Sequence, residues 1–199
     1  MTTALMLIDV INDFFHPKGR NYHDVYDPIL KRILVLLKAA RQANAPIFHV
    51  MEGHQRGPST DFEWKKLPEH CFLGDFDAEP AAGVDVREGA EYIVRKRRYS
   101  GFFATDLDLL LREAGVTRIV IVGVKTHVCV RATAQDALGY GYDVIVPREA
   151  VGSNYAHLHE ASLEDIDRYM GRVEPFDEAL ALFSTNVDIL TGCGTPPTE

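Results

Sequence analysis

Three residues of this sequence can together perform nucleophilic and acid–base chemistry: Asp9, Lys96 and Cys129. Each lies near the end of a short apolar run or soon after one. Cys129 also lies near the start of a predicted helix, where the helix dipole favours a thiolate, and a nearby lysine lowers the pKa of a thiol further. A thiolate can attack a carbonyl carbon while a carboxylate passes protons to the leaving group. Backbone N–H groups between Lys125 and Cys129 can bind the developing oxyanion.

The elements that must position these residues alternate along the chain. Apolar runs predict strands over residues 4–10, 46–51, 92–94, 118–123 and 143–146. Helical spacing and helix-start signals predict helices over residues 27–40, from Thr105 onward, and over residues 128–138, 156–170 and 176–183. This alternation is typical of a three-layer, doubly wound α/β fold with a mostly parallel sheet and helices on both faces. Ligands bind outside the carboxyl ends of such strands, where all three reactive residues lie.

Length and composition predict one globular domain. With 199 residues, 46% of them hydrophobic, the chain can bury a single core, predicted over residues 1–190 and followed by a flexible tail over residues 191–199. A net charge of −8 argues against nucleic acid as a partner. No apolar run approaches the roughly 18 residues of a membrane helix. Three cysteines without a CxxC pair and the absence of a leader-like start predict a cytoplasmic protein with no membrane partner.

Each of the three residues also has an ordinary structural explanation. An aspartate after a strand is often a cap, and Lys96 belongs to a basic run that solvent can cover. A lone cysteine is more often a small buried hydrophobic residue than a nucleophile. The hypothesis of a shared site therefore depends on the three predicted strand ends taken together.

Three sequence blocks carry a resemblance to a known family. They are residues 7–14 (LIDVINDF), residues 96–103 (KRRYSGFF) and residues 123–130 (GVKTHVCV). In order and spacing they resemble the isochorismatase-like cysteine hydrolase superfamily. That superfamily includes nicotinamidases, N-carbamoylsarcosine amidases, ureidoacrylate amidohydrolases and biuret hydrolases, and the resemblance extends over roughly residues 4–170.

The resemblance implies roles for particular residues. Cys129 would be the nucleophile that forms an acyl-enzyme or a tetrahedral thiohemiacetal-type intermediate. Asp9 would be the general base and acid, and Lys96 would hold the thiolate and orient Asp9. A cis peptide is implied between Val124 and Lys125, with the N–H groups of Lys125 and Cys129 forming the oxyanion hole. The triad of Asp9, Lys96 and Cys129 requires no cofactor. Members of the family commonly form oligomers, so the resemblance implies a homo-oligomer.

Two features of the sequence favour different subfamilies. The segment after Lys96 follows it directly, as in ureido and carbamoyl amidohydrolases, whereas Pro68-Glu-His70-Cys71 resembles a nicotinamidase segment. Glu52 and His54 lie where nicotinamidases have a metal pair, so Glu52, His54 and His70 are candidate ligands of a zinc or iron ion. The family pair uses Asp rather than Glu, and histidines in polar loops are often simply hydrogen-bonded, so the metal stays an open alternative.

Aromatic and basic residues near the predicted site are weaker candidates. Phe14, Tyr99 and Phe103 can line a substrate pocket, although aromatic residues are more often part of a core. Arg97 and Arg98 can bind a substrate carboxylate or form surface ion pairs, while Cys71 and Cys193 have no assigned role.

The function predicted first is hydrolysis of the C–N bond of a small amide or ureide through a Cys129 acyl-enzyme. The alternatives, in order, are a metal-dependent nicotinamidase, an isochorismatase-type vinyl-ether hydrolase and a catalytically idle binding protein. The presence of Cys129 disfavours the vinyl-ether reaction, and the complete set of three reactive residues disfavours the idle protein.

Overall fold

A computed structural model describes residues 1–57 and 61–184 of the chain. The described elements are β1 (Thr2–Ile8), α1 (Asn12–Phe15), α2 (Asp27–Gln42), β2 (Ile47–Glu52), β3 (Tyr92–Lys96), α3 (Leu107–Glu113), β4 (Val116–Val124), α4 (Arg131–Gly139), β5 (Asp143–Pro147), β6 (Val151–Gly152), α5 (Ala156–Tyr169), β7 (Arg172–Glu174) and α6 (Phe176–Ala181). The predicted tail over residues 191–199 lies outside the described part. Among the described helices, none is long and apolar enough to cross a bilayer.

All strand pairs of the sheet are parallel. The strand order is β3-β2-β1-β4-β5-β7, and the two-residue strand β6 pairs with the end of β4. Strand order reverses direction at β1, as in doubly wound folds, so the carboxyl ends of β1 and β4 lie side by side at the middle of the sheet. The predicted α/β fold class is confirmed.

Side chains of β1 alternate between two hydrophobic cores. Leu5 and Leu7 join the core that packs against α2 and α6, whereas Met6 and Ile8 join the core that packs against α3, α4 and α5. Every side chain of β1 from Ala4 to Ile8 is buried, since both faces of the strand are covered. The molecule therefore has three layers, with the sheet between two groups of helices.

The structure corrects several local predictions. The helix predicted from Thr105 onward begins at Leu107, and the Thr105 hydroxyl donates to the carbonyl of Gly101 and accepts from the N–H of Leu107. The sequence analysis also missed α1, β6 and β7, which have two to four residues each and are too short to show a period. Between β2 and β3, the helical elements among the described residues are two short 3₁₀ turns, Phe62–Lys65 and Phe76–Ala78.

Candidate active site

The carboxyl ends of β1, β3 and β4 bring Asp9, Lys96 and Cys129 together. Lys96 is the last residue of β3, and its Nζ lies 2.9 Å from Asp9 Oδ2 and 3.5 Å from Cys129 Sγ. Asp9 directly follows β1, and Cys129 lies in a π-helical turn, Thr126–Val130, between β4 and α4. All three side chains are buried. A carboxylate, an ammonium and a thiol thus meet at one edge of the sheet.

The backbone around Asp9 and Gly123 fixes this geometry. Asp9 has a φ of 51°, a left-handed conformation that aspartate tolerates better than most residues. Its Oδ1 accepts the backbone N–H of Glu52 at 2.7 Å, which ties the end of β1 to the end of β2. At Gly123, with a φ of 119°, an added Cβ would lie 2.0 Å from the carbonyl oxygen of Ile8. The two central strands can approach so closely at this point only because residue 123 has no side chain.

Burial and the charges of neighbouring groups together set the direction of the pKa shift at each of the three groups. Burial raises the pKa of Asp9, and the Lys96 ammonium offsets this only in part. Burial also raises the pKa of the Cys129 thiol well above its ordinary value, although Lys96 acts in the opposite direction. For Lys96 burial lowers the pKa, but the neighbouring Asp9 and Cys129 outweigh it and the pKa is raised. The net shift of the thiol pKa is thus upward, opposite to the lowering expected from the helix dipole and the lysine, because burial outweighs the effect of Lys96.

A cavity of about 390 Å³ opens above Cys129. Phe14 and Tyr99 line it, as do Lys125 and His127 of the turn that carries the cysteine. Phe103 does not belong to this lining, and its side chain is 61% exposed, so the structure does not support its predicted role in substrate binding. The peptide bond between Val124 and Lys125 is cis.

The second predicted cluster, formed by Glu52, His54 and His70, is also assembled. Glu52 Oε1 lies 2.9 Å from His54 Nε2 and 3.0 Å from His70 Nε2, and all three side chains are buried. Burial raises the pKa of Glu52, but hydrogen bonds from the two imidazoles outweigh it and the pKa is lowered. Burial lowers the pKa of His70, yet the hydrogen bond to Glu52 raises it to about 9. Glu52 and His70 also line the cavity above Cys129.

Two acids that the sequence analysis missed complete this cluster. Asp61 Oδ2 lies 2.6 Å from His54 Nδ1, which turns Nε2 of that ring toward Glu52. The buried Oε1 of Glu63 lies 3.2 Å from His54 Nε2 but accepts no hydrogen bond from the described residues. Both acids lie in the irregular segment between β2 and β3, where no periodicity marks them.

Arg97 and Arg98 hold Asp61 in place. Arg97 Nη2 lies 2.7 Å from Asp61 Oδ1, and Arg98 Nη1 lies 3.0 Å from the same oxygen. Burial raises the pKa of Asp61, but these arginines outweigh it and lower the pKa to about 2. Neither arginine lines the cavity, so the alternative of an ion pair describes them better than the binding of a substrate carboxylate. Of the two unassigned cysteines, Cys71 is buried and free, and Cys193 lies beyond the described residues.

Comparison with known proteins decides the family. Residues 3–177 match the family model described as the Isochorismatase domain. The chain belongs to the isochorismatase family. Maleamate amidohydrolase of Pseudomonas putida is 41% identical over 182 residues, covering 89% of this chain and 84% of the relative. Family membership confirms the predicted resemblance, and its amidohydrolase members confirm the predicted enzyme class, a hydrolase acting on C–N amide bonds.

Solved structures of the family share the fold. An isochorismatase-like hydrolase from Alkaliphilus metalliredigens superimposes with a TM-score of 0.85 at 32% identity, covering 92% of this chain and all of the other. A pyrazinamidase of Pyrococcus horikoshii, solved in complex with zinc, has a TM-score of 0.79 at 30% identity and covers 88% of this chain and 99% of that one.

Proposed function

We propose that this chain hydrolyses the C–N bond of a small amide or ureide through a thioester on Cys129. The observation that carries the proposal is the position of Lys96 Nζ, 2.9 Å from Asp9 Oδ2 and 3.5 Å from Cys129 Sγ, beneath an open cavity. Relatives named maleamate amidohydrolase, ureidoacrylate amidohydrolase and N-carbamoylsarcosine amidase support a substrate of this class.

In the first half of the reaction, Asp9 acts as base and then as acid. It takes the thiol proton of Cys129 as Sγ attacks the carbonyl carbon, and Lys96 stabilises the thiolate and the carboxylate in turn. The C–N bond then breaks as the Asp9 proton moves to the leaving nitrogen, so ammonia or an amine departs. The raised pKa values of Asp9 and Cys129 suit this exchange, because each group can hold the proton while the other gives it up.

In the second half, water replaces the departed nitrogen. Asp9 takes a proton from that water as its oxygen attacks the thioester carbon. The C–S bond breaks, the acid product leaves, and the proton on Asp9 returns to Sγ. The backbone N–H groups of Lys125 and Cys129 would stabilise the oxyanion in both halves. In support, the Lys125 N–H donates to no acceptor among the described residues.

Ammonia release with and without the thiol tests the proposal. Wild type, Cys129→Ala and the control Cys71→Ala would be assayed on maleamate, ureidoacrylate, an N-carbamoyl amino acid, nicotinamide and biuret. We expect Cys129→Ala to lose at least about 10³-fold in kcat/KM, and Cys71→Ala, which alters a buried thiol outside the cavity lining, to keep its activity. Intact mass after a rapid acid quench should show the acyl group on wild type and on Cys71→Ala, but not on Cys129→Ala.

Other outcomes would favour the alternatives. Full activity of Cys129→Ala would contradict the proposal. Ligand binding without turnover would favour an idle binding protein, and turnover of isochorismate with no activity on amides would favour vinyl-ether hydrolysis.

A metal-assisted nicotinamidase reaction is the second candidate, because the donor set fits a divalent ion. The ligand atoms of Glu52, His54 and His70 lie within 4.8 Å of one another, and the buried Glu63 Oε1 beside them accepts no hydrogen bond from the described residues. Two imidazoles and a carboxylate are ligands that zinc and iron accept. A bound ion would supply a Lewis acid at the cavity wall.

Metal content tests this candidate independently of turnover. Protein purified without chelator would be analysed for zinc and iron, with His70→Ala as the comparison. About one ion per chain, lost in the variant, supports the site. The metal-assisted reaction is contradicted if the purified protein contains no zinc or iron and its activity does not change when a chelator is added.

A further inference from the structure

We infer that the cavity selects amides that also carry a carboxylate, and that the Lys125 ammonium binds this carboxylate. The inference rests on the proposed amide hydrolysis and specifies its substrate class. Lys125 is partly buried in the cavity wall, four residues before the proposed nucleophile. In the proposed reaction its backbone N–H binds the oxyanion of the reacting carbonyl. The side chain of the same residue therefore starts close to the reacting carbon.

The Lys125 ammonium is positioned but has no carboxylate partner. Its Nζ donates to Asn21 Oδ1 at 3.4 Å and lies 5.6 Å from the centre of the Phe14 ring. No aspartate or glutamate of the described residues forms an ion pair with it. An amide oxygen and a ring face orient an ammonium without neutralising it, so its remaining donors can bind an anion.

The loop that holds Lys125 is itself fixed by a buried acid. Asp13 accepts the side-chain amide of Asn21 at 2.6 Å and the backbone N–H of Arg20 at 3.0 Å. An added Cβ at Gly19 would lie 2.3 Å from the carbonyl oxygens of Asn12 and Asp13, so the loop packs closely on α1. The Asn21 side chain is therefore held in place by its own contacts, so its oxygen can fix the position of the Lys125 ammonium. Binding groups that act on a substrate are commonly held by such supporting contacts.

The charge balance of the cavity lining favours an anion. Lys125 and the exposed Arg20 both line the cavity, and neither forms an ion pair with the described residues. The acid in the lining is Glu52, whose carboxylate already contacts His54 and His70. A neutral amide would leave the ammonium without a counter-charge, whereas a carboxylate a few bonds from the scissile carbonyl would supply it.

A matched pair of amides tests the inference. Succinamate carries a carboxylate, and 4-methylpentanamide replaces that carboxylate with an isopropyl group of similar shape. We expect wild type to prefer succinamate in kcat/KM and Lys125→Met to reduce the ratio of the two kcat/KM values by about 10- to 100-fold. Lys125→Arg should recover part of the preference. Lys31→Met, which removes the same charge from an exposed position on α2, should leave the ratio as it is in wild type.

Binding without turnover separates this inference from the proposed reaction. Succinamate would be titrated calorimetrically into Cys129→Ala and into the double variant Lys125→Met with Cys129→Ala. Binding that weakens at least tenfold in the double variant, and weakens with added salt, supports the carboxylate site even if wild type hydrolyses neither amide. A preference that Lys125→Met leaves intact, or succinamate binding that does not depend on Lys125, overturns the inference while amide hydrolysis stands.

Discussion

Replacing Lys96 with methionine should make the unfolding free energy of the protein fall as the pH rises, relative to wild type. Lys96 and Asp9 are both buried, with 2.9 Å between Nζ and Oδ2. At an effective dielectric constant of about 20, Coulomb's law gives about 6 kcal/mol for this pair. The variant regains part of this energy because it no longer has to bury an ammonium group. At pH values at which Asp9 would be ionised, we therefore expect Lys96→Met to lower the unfolding free energy by about 3–5 kcal/mol.

The sign of the pH dependence follows from Asp9. Without Lys96, burial acts unopposed by the ammonium and raises the pKa of Asp9 further. The native variant then keeps a proton that the unfolded chain releases above its ordinary pKa, so raising the pH favours unfolding. The stability difference from wild type should be small near pH 4 and grow by about 1.4 kcal/mol per pH unit until the full cost is reached.

Urea unfolding of wild type and Lys96→Met at pH 4.5, 6 and 8 measures this effect. The double variant Lys96→Met with Asp9→Asn removes both charges, so it should lose the added pH dependence and recover part of the stability. A cost for Lys96→Met that is equal at all three pH values would refute the reasoning. So would a double variant that keeps the same slope.

Three further predictions concern other parts of the fold. Gly123→Ala should destabilise the protein severely and lower its melting temperature, because the new Cβ would lie 2.0 Å from the Ile8 carbonyl oxygen. Asp61→Asn should weaken zinc binding at the Glu52 cluster by about 10- to 100-fold in a metal titration, because His54 loses the carboxylate that orients its ring. Glu91→Gln should cost about 3–5 kcal/mol of unfolding free energy at pH 7, because the buried Glu91 holds both Arg41 and His49. The pKa of Glu91 is lowered, since its hydrogen bonds outweigh burial, so this cost should vanish as the pH falls below the usual glutamate range.

Each of these variants has a matched control. Gly139→Ala places a Cβ in open space and should leave the melting temperature nearly unchanged. Asp75→Asn disrupts only the exposed ion pair with Arg56 and should not alter zinc binding. Glu164→Gln breaks an exposed pair with Arg168 and should cost less than about 1 kcal/mol. If a control variant changed the melting temperature, the zinc affinity or the unfolding free energy as much as its test variant, the corresponding argument would be contradicted.

The placement of Asp9, Lys96 and Cys129 was predictable because it follows from the sheet. Buried parallel strands have continuous apolar runs, and their carboxyl ends share one edge, so residues 4–10, 92–94 and 118–123 located the three side chains without any contact being known. The direction of the pKa shift at Cys129 was not predictable in this way. It depends on how completely the thiol is buried, which the sequence pattern does not give.

The irregular segments limited the rest of the prediction. Asp61 and Glu63 act on His54 from a stretch that has no periodicity, and their carboxylates reach that ring only through the path of the folded loop. Phe103 follows Lys96 closely in sequence, but the chain turns at residues 100–104 and leaves the ring in solvent. Closeness to Lys96 in sequence therefore did not predict which side chains line the cavity, whereas position at a strand's carboxyl end predicted which reactive side chains meet.

The hydrogen bond from the Glu52 N–H to Asp9 Oδ1 keeps the two buried clusters close enough for their carboxylates to influence each other's ionisation. The Glu52 charge raises the pKa of Asp9, and Lys96 interacts with both carboxylates. Substitutions at Glu52 and Asp9 should therefore be non-additive, with a coupling energy that a double-mutant cycle can measure. Protons would leave the assembly in macroscopic steps that belong to the whole set of groups. A free energy obtained by changing one of these carboxylates alone thus belongs to the pair.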